Sequence, residues 1–281
     1  MRYATVLIEG QARWGRVVDD KILLLDALHP TLKAAIAAGA LASGELDRAA
    51  GEAIDLSAVR FLPPITEPGK ILCIGLNYEN HRRETGRAEV AHPTVFTRFP
   101  DSQVGHEAAI LRPPESIKLD YEGELAVVIG KGGRRIAAVD ALDHIAGYSC
   151  YNDGSVRDWQ AHTIQFTPGK NFPQTGAFGP WLVTPDEFGP PATQTLQTRL
   201  NGQVMQHARL ADMIFPIDQL IAYCSTFTPI APGDVIVTGT PGGVGAKRDP
   251  QVFMKPGDTV EIEIDGIGVL ANVIADEPAA N

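Results

Sequence analysis

Apolar and polar positions along this chain fall into short runs, and their spacing changes near residue 70. In the first part, residues 3–8 and 15–25 read as strands. A polar turn over 10–14 joins them, and the Asp19-Asp20 pair marks a second turn. Residues 31–50 are rich in Ala and Leu and predict a helix interrupted near Gly39 and Gly44. Residues 55–68 carry Pro63, Pro64 and Pro68 and read as a linker. From Lys70 onward, short apolar runs alternate with Gly and Pro. Strands are expected at 71–75, 125–129, 235–238, 259–264 and 269–274, with a hairpin turning at Asn201-Gly202. In the 259–264 run, Val260, Ile262 and Ile264 alternate with Glu261, Glu263 and Asp265, so one face is buried and one wet. Residues 215–227 place Ile217, Leu220, Ile221 and Cys224 on one helical face. Residues 77–87 predict a short polar helix or lid, 139–144 a helical turn, and 91–114 a loop-rich stretch. The pattern predicts an α+β, mainly β fold in two units: a small N-terminal domain over 1–64 and a larger one over 65–281.

Composition narrows the function classes. A chain of 281 residues with 44% hydrophobic and 21% charged residues buries a full core. The net charge of −10 argues against a nucleic-acid surface. An anionic substrate would have to be met by a local cluster of basic groups or by a metal. Cys73, Cys150 and Cys224 are far apart among apolar residues, which points to a reducing compartment rather than a disulfide framework. The N-terminal residues lead into a strand-like run and not a signal peptide, and no apolar run is long enough to span a bilayer. The expectation is a cytoplasmic protein.

The chemistry concentrates around residues 119–131. Glu122 and Glu124 are two apart at the start of a strand, so they share a face, and Asp153 follows about thirty residues later. Like charges that close need neutralising, and three carboxylates form a hard oxygen set suited to Mg²⁺. The alternative at this spacing is an acidic edge facing solvent. His81 and Glu84, at i and i+3, form a possible general base with its orienting carboxylate, or a solvated polar helix. Asp153, Arg157 and Gln160 would share a face if their segment were one helix. Lys170 follows a Pro-Gly turn and reads as solvated. Residues 238–245 are glycine-dense but lack both the Walker A ending and the G-x-G-x-x-G pattern. Their N–H groups suit a carboxylate, and positive backbone angles alone would also explain them. His106, His144, His162 and His207 read as structural.

Taken in order, the segments 70–78 with His81 and Glu84, 120–131, 152–160, 169–170, 179–184, 211–215, 232–245 and 255–266 resemble the fumarylacetoacetate hydrolase family from about residue 65 onward. The resemblance implies a mixed β-sheet roll, usually homodimeric, preceded by a small N-terminal α+β unit. It implies Mg²⁺ (or Mn²⁺) on Glu122, Glu124 and Asp153, with His81, Glu84 and Lys170 catalytic. Substrate binding would fall on Arg157, Gln160 and Thr240. The implied substrate is a small oxo acid, with neither nucleic acid nor membrane as partner. The favoured reaction is C–C hydrolysis of a 2,4-dioxo acid by His-activated water, in the setting of aromatic catabolism. Decarboxylation or isomerisation of 2-oxo or 2-hydroxy-unsaturated diacids is the alternative, and a non-catalytic metal- or ligand-binding protein stands behind both. The Gly154-Ser155-Val156 stretch departs from the commoner Val-Ser/Thr-Ala pattern, which marks a subgroup.

Overall fold

Most of the apolar runs become strands of two stacked sheets in the computed structural model, which describes residues 1–278. The last three positions of the expected 65–281 unit lie outside the described residues. The larger sheet has twelve strands. Its centre is the antiparallel pair Gly123–Ile129 and Ile145–Asn152, with every residue of both strands buried. Burial on both faces is why the 125–129 run is continuously apolar rather than alternating. Val235–Val237, Ile71–Gly75 and Thr94–Arg98 extend the sheet on one side, and Gly176–Val183 on the other. The smaller sheet has five strands, ordered Gln203–Arg209, Thr195–Leu200, Thr259–Ile264, Gly268–Asp276 and Ile110–Arg112.

Side-chain alternation stacks these layers. Leu125, Val127 and Ile129 face one cluster with Leu196, Val260, Ile262 and Leu270 of the smaller sheet. Ala126 and Val128 face the opposite cluster, which contains Tyr3, Trp14, Leu32 and Ile36 from the N-terminal residues. The alternation expected at Thr259–Ile264 is present, with Val260, Ile262 and Ile264 buried and the two glutamates half-buried. Helix Ile217–Phe227 buries Ile217, Leu220, Ile221 and Cys224 as its spacing requires. The Asn201-Gly202 pair turns its hairpin with φ of 52° and 77°, both positive as a type I′ turn needs.

Several expectations are corrected. Residues 11–14 are not a turn: strand Gln11–Val18 pairs with Arg2–Ile8 along its length, and the chain reverses at Glu9-Gly10. The 91–114 stretch contains strands Thr94–Arg98, Gln103–Val104 and Ile110–Arg112, and the expected linker contains Arg60–Leu62. These pieces are too short to show a period, and only their sheet partners define them. Apart from these corrections, the strands within residues 1–64 join the larger sheet, with Arg2–Ile8 pairing antiparallel with Gly176–Val183 at Arg2↔Val183 and Tyr3↔Leu182. No helix among the described residues is long and apolar enough to cross a membrane.

Leu182 is fully buried where the N-terminal strands meet the rest of the sheet. Leu182→Ala is expected to cost about 2–5 kcal/mol of stability by cavity formation, read as a lowered urea midpoint at unchanged slope.

Candidate active site

Antiparallel pairing assembles the acidic cluster. Gly123 lies opposite Asn152, so Glu122 and Asp153 emerge side by side, with the Asp153 N–H donating to the Glu122 carbonyl at 2.9 Å. Glu124 shares the face of Glu122, as the strand period demands. Oxygens of Glu122, Glu124 and Asp153 lie within 4.8 Å of one another, and all three residues are buried. The solvent-facing alternative is therefore excluded.

Cations meet these carboxylates on three sides. Lys170, expected to be solvated on its turn, is only 1% exposed and donates to Glu122 Oε2 and Asp153 Oδ2, each at 2.6 Å. Arg157 donates to Glu122 Oε1 at 2.6 Å and to Asp120 Oδ2 at 2.8 Å. Arg98, fully buried, reaches Asp153 Oδ1 at 2.5 Å. The single helix expected to carry Asp153, Arg157 and Gln160 on one face does not form. Ser155–Val156 is extended because it pairs with Leu119–Asp120, and only Arg157–Gln160 is helical. Arg157 still meets Gln160, donating to its Oε1 at 3.0 Å.

Charge accounting identifies what the cluster lacks. Asp120, Glu122, Glu124 and Asp153 oppose only Arg98, Arg157 and Lys170. Glu124 is the carboxylate without a cation, and its Oε2 accepts only the Gly239 N–H, at 2.5 Å. Burial, with Asp153 and Glu122 nearby, pushes its carboxyl well above the ordinary value. Burial also acts to raise Glu122, but Lys170, Arg157 and His81 outweigh it and hold that carboxyl below the usual range. Burial alone would depress Lys170, but Asp153 and Glu122 reverse this and keep it a fixed cation. Three hard oxygen donors within 4.8 Å of one another, one of them without a cationic partner, fit a divalent cation such as Mg²⁺ or Mn²⁺, and Glu122, Glu124 and Asp153 would hold it.

The lid helix Glu79–Glu84 carries the candidate base. His81 Nδ1 lies 2.7 Å from Glu84 Oε1, and the buried ring lines the cleft that also exposes Glu122, Glu124 and Lys170. A carboxylate on Nδ1 fixes the proton there and leaves Nε2 as the basic nitrogen. The glycine-rich loop after strand Val235–Val237 latches this lid. The Gly243 N–H donates to Glu84 Oε2 at 2.9 Å, and the Gly242 N–H to Asn80 Oδ1 at 3.1 Å. The same loop holds Glu124 through Gly239 and Asp120 through the Gly245 and Ala246 N–H groups, each at 2.9 Å. Its N–H groups thus bind the protein's own carboxylates. Gly239 sits at φ 102°, and an added Cβ would lie 2.6 Å from Asn77 Cβ, so no other residue fits there. Thr240, expected to meet a substrate carboxylate, donates its hydroxyl proton to the Gly123 carbonyl at 2.9 Å and accepts from Gln206 at 2.8 Å. It therefore braces the start of the glutamate strand and has no free hydroxyl proton. Arg157 Nη2, in contrast, is buried without a hydrogen-bond partner in the wall of the cleft.

Arg98, Asp120 and Gln206 were not foreseen. Asp120 sits two residues before Glu122, so the i, i+2 rule that singled out Glu124 also pointed at it. Arg98 and Gln206 gave no local signal, since both join the site across the sheets.

Comparison with known proteins follows this geometry. The family profile described as fumarylacetoacetate (FAA) hydrolase C-terminal matches residues 70–275. A Bos taurus protein named a mitochondrial oxaloacetate tautomerase is 44% identical over 220 residues, covering 78% of this chain and 70% of that protein. The solved 2-hydroxyhepta-2,4-diene-1,7-dioate isomerase from Mycobacterium marinum superposes with a TM-score of 0.80 at 31% identity, covering 99% of each chain. Maleylpyruvate hydrolase from Sphingobium sp. SYK-6, solved with manganese(II) and pyruvate, superposes with a TM-score of 0.81 at 27% identity, covering 99% of this chain and 100% of that one.

Two outcomes test the cluster. Arg98→Met leaves Asp153 short of a buried partner and is expected to cost about 3–5 kcal/mol, read by chemical denaturation. Mg²⁺ or Mn²⁺ at about 100 times its Kd is expected to stabilise the wild type by about 2.7 kcal/mol, seen as a raised Tm in calorimetry. Glu124→Gln should abolish that rise while leaving the metal-free protein folded.

Proposed function

The chain belongs to the fumarylacetoacetate hydrolase family, and from that premise we propose that it catalyses a divalent-metal-assisted proton shift between keto and enol forms of short 2-oxo acids. The observation that carries this reading is the His81–Glu84 pair, a buried base with its tautomer set at 2.7 Å and facing the same cleft as the carboxylate triad. The similarity to a protein named oxaloacetate tautomerase and to a solved dienedioate isomerase supports it, and ranks isomer chemistry above the C–C hydrolysis that the motif order favoured.

When bound on Glu122, Glu124 and Asp153, Mg²⁺ or Mn²⁺ would supply Lewis-acid stabilisation of negative charge developing on the oxo acid. Lys170 and Arg98 hold Glu122 and Asp153 through ion pairs and the Gly239 N–H holds Glu124, so little reorganisation accompanies the change in charge. Arg157 orients the substrate carboxylate through its unpartnered Nη2. His81 Nε2 removes the proton from the carbon beside the ketone. The imidazolium so formed, stabilised by Glu84, returns that proton to the ketone oxygen as the enol forms, and the reverse sequence ketonises an enol. Asn80 and Glu84, latched to Gly242 and Gly243, keep the ring in place during the transfer.

Hydrolysis is the second reading. The likeness to maleylpyruvate hydrolase favours it, and the same base could take its proton from water. The three cysteines are free and buried, in keeping with a reducing compartment.

The test follows loss of enol absorbance from freshly dissolved enol-oxaloacetate with Mg²⁺ or Mn²⁺, alongside acylpyruvates assayed for release of two acids and oxaloacetate assayed for CO₂. Accelerated ketonisation without cleavage is the expected result. His81→Gln should lower kcat by roughly 10²–10⁴-fold while metal binding stays intact by calorimetry. Two acids from acylpyruvates with no effect on ketonisation would replace this reading with hydrolysis.

A further inference from the structure

The wall of the cleft holds one backbone conformation that the chemistry above does not use. Among the described residues other than glycine, seven have positive φ, and six of these are polar and exposed. The seventh is Leu76, half-buried at φ 61° in the cleft wall. A left-handed backbone crowds Cβ against the following carbonyl, whereas glycine adopts it without that penalty. The neighbours of Leu76 hold the angle in place. Gly75 pairs with Thr94 at the end of strand Ile71–Gly75. The Asn77 side chain donates to the Phe215 and Thr238 carbonyls at 3.0 and 2.7 Å and accepts from the Phe215 N–H at 2.8 Å. Position 76 is therefore fixed from both sides in a conformation that a glycine would relieve.

The leucine at this position does not serve the interior. Neither Leu76 nor Phe166 belongs to the apolar clusters that fill the core, and both line the cleft instead. A Cβ placed on Gly75 would lie 3.6 Å from Phe166 Cε2, so the Phe166 ring packs against the backbone just before Leu76. Phe166 meets the Phe96 ring edge-on, with centroids 5.7 Å apart, and Lys170 Nζ lies 4.9 Å over the Phe96 ring. The same ammonium grips Glu122 and Asp153. Leu76, Phe166 and Phe96 thus make an apolar stretch of wall that reaches the acidic floor at Lys170. Ile164, two residues before Phe166, lines the same cleft and is 91% exposed. Apolar surface left open to water in this way is stabilised by a hydrocarbon partner.

We propose that Leu76 is a specificity-determining residue, kept in the left-handed conformation to present its side chain to a hydrocarbon tail, so that the preferred ligand is a 2-oxo acid with an unbranched alkyl chain. The inference rests on the reading of the floor as a 2-oxo acid site and adds the wall that selects the rest of the molecule. The strain is then retained because a side chain is needed where the backbone favours none. Asparagine would tolerate the angle but set a polar group in the wall, and glycine would leave the wall open.

The test compares 2-oxohexanoate with pyruvate, which has the same head and only a methyl group in place of the chain. Binding to the Mg²⁺-loaded protein is measured by calorimetry for wild type, Leu76→Gly and Leu76→Asn. Wild type is expected to bind 2-oxohexanoate at least about 10-fold tighter, since each buried methylene contributes roughly fourfold. Both variants should lower that ratio by about 3- to 5-fold, with the loss falling on the longer acid. The Tm of the metal-free variants should stay within about 3 °C of wild type, because relief of strain offsets lost contacts. Equal affinities in wild type, or a ratio unchanged in both variants, would overturn the role of Leu76 while leaving the floor intact. A fall in Tm beyond about 6 °C in both variants would make Leu76 a packing residue and overturn its role as well. Binding of neither acid would overturn the floor reading and the inference together.

Discussion

The molecule is organised around an imbalance of buried charge. Four carboxylates and three cations converge where two strands of the larger sheet end, and most of them have no access to bulk water. Taking such groups out of water costs several kcal/mol per ion, and the cost is recovered only with close geometry and saturated hydrogen bonding. The rest of the site meets that demand. Asp120 is held by two loop N–H groups as well as by Arg157, and Asp153 lies between Arg98 and Lys170. Glu124 alone is left with a single backbone donor. The cluster is therefore incomplete in one defined respect, which is what a cation site looks like when described through its ligands.

That constraint explains the division of labour between the two sheets. The strands Gly123–Ile129 and Ile145–Asn152 are buried on both faces, so packing along their length sets the frame from which the charged groups at their ends project. The smaller sheet covers one face and contributes Gln206, which reaches across to the Gly123 N–H and to Thr240. N-terminal residues, among them Leu32, Ala35 and Ile36 of helix Leu32–Ala37, pack on the other face, and residues 1–64 contribute no group to the cleft.

Much of this was legible in local pattern. The glutamate pair, the His81–Glu84 spacing, the hairpin at Asn201-Gly202 and the buried face of Ile217–Phe227 all follow from periodicities of two or about 3.6 residues. What periodicity could not supply was contact between distant segments. Arg98 joins Asp153 from 55 positions away, and nothing around it in sequence distinguishes it from a surface arginine. Lys170 looked solvated because its Pro-Gly turn resembles any exposed turn, yet the fold buries it against two acids. The helix imagined from Asp153 to Gln160 failed because pairing with Leu119–Asp120 competes for the same backbone and wins over Ser155–Val156. Family likeness brought Lys170 into the site where its local sequence did not.

The glycine-rich loop grips the lid and the acids through main-chain N–H groups, with Gly239 on Glu124 and Gly243 on Glu84. Base and acids are thus gauged from one short length of backbone, like two tools clamped in a single jig. Side chains elsewhere in the cleft wall can change without altering that alignment. In such an arrangement the reach of the pocket can drift over evolutionary time while the spacing of the reacting groups is inherited unchanged.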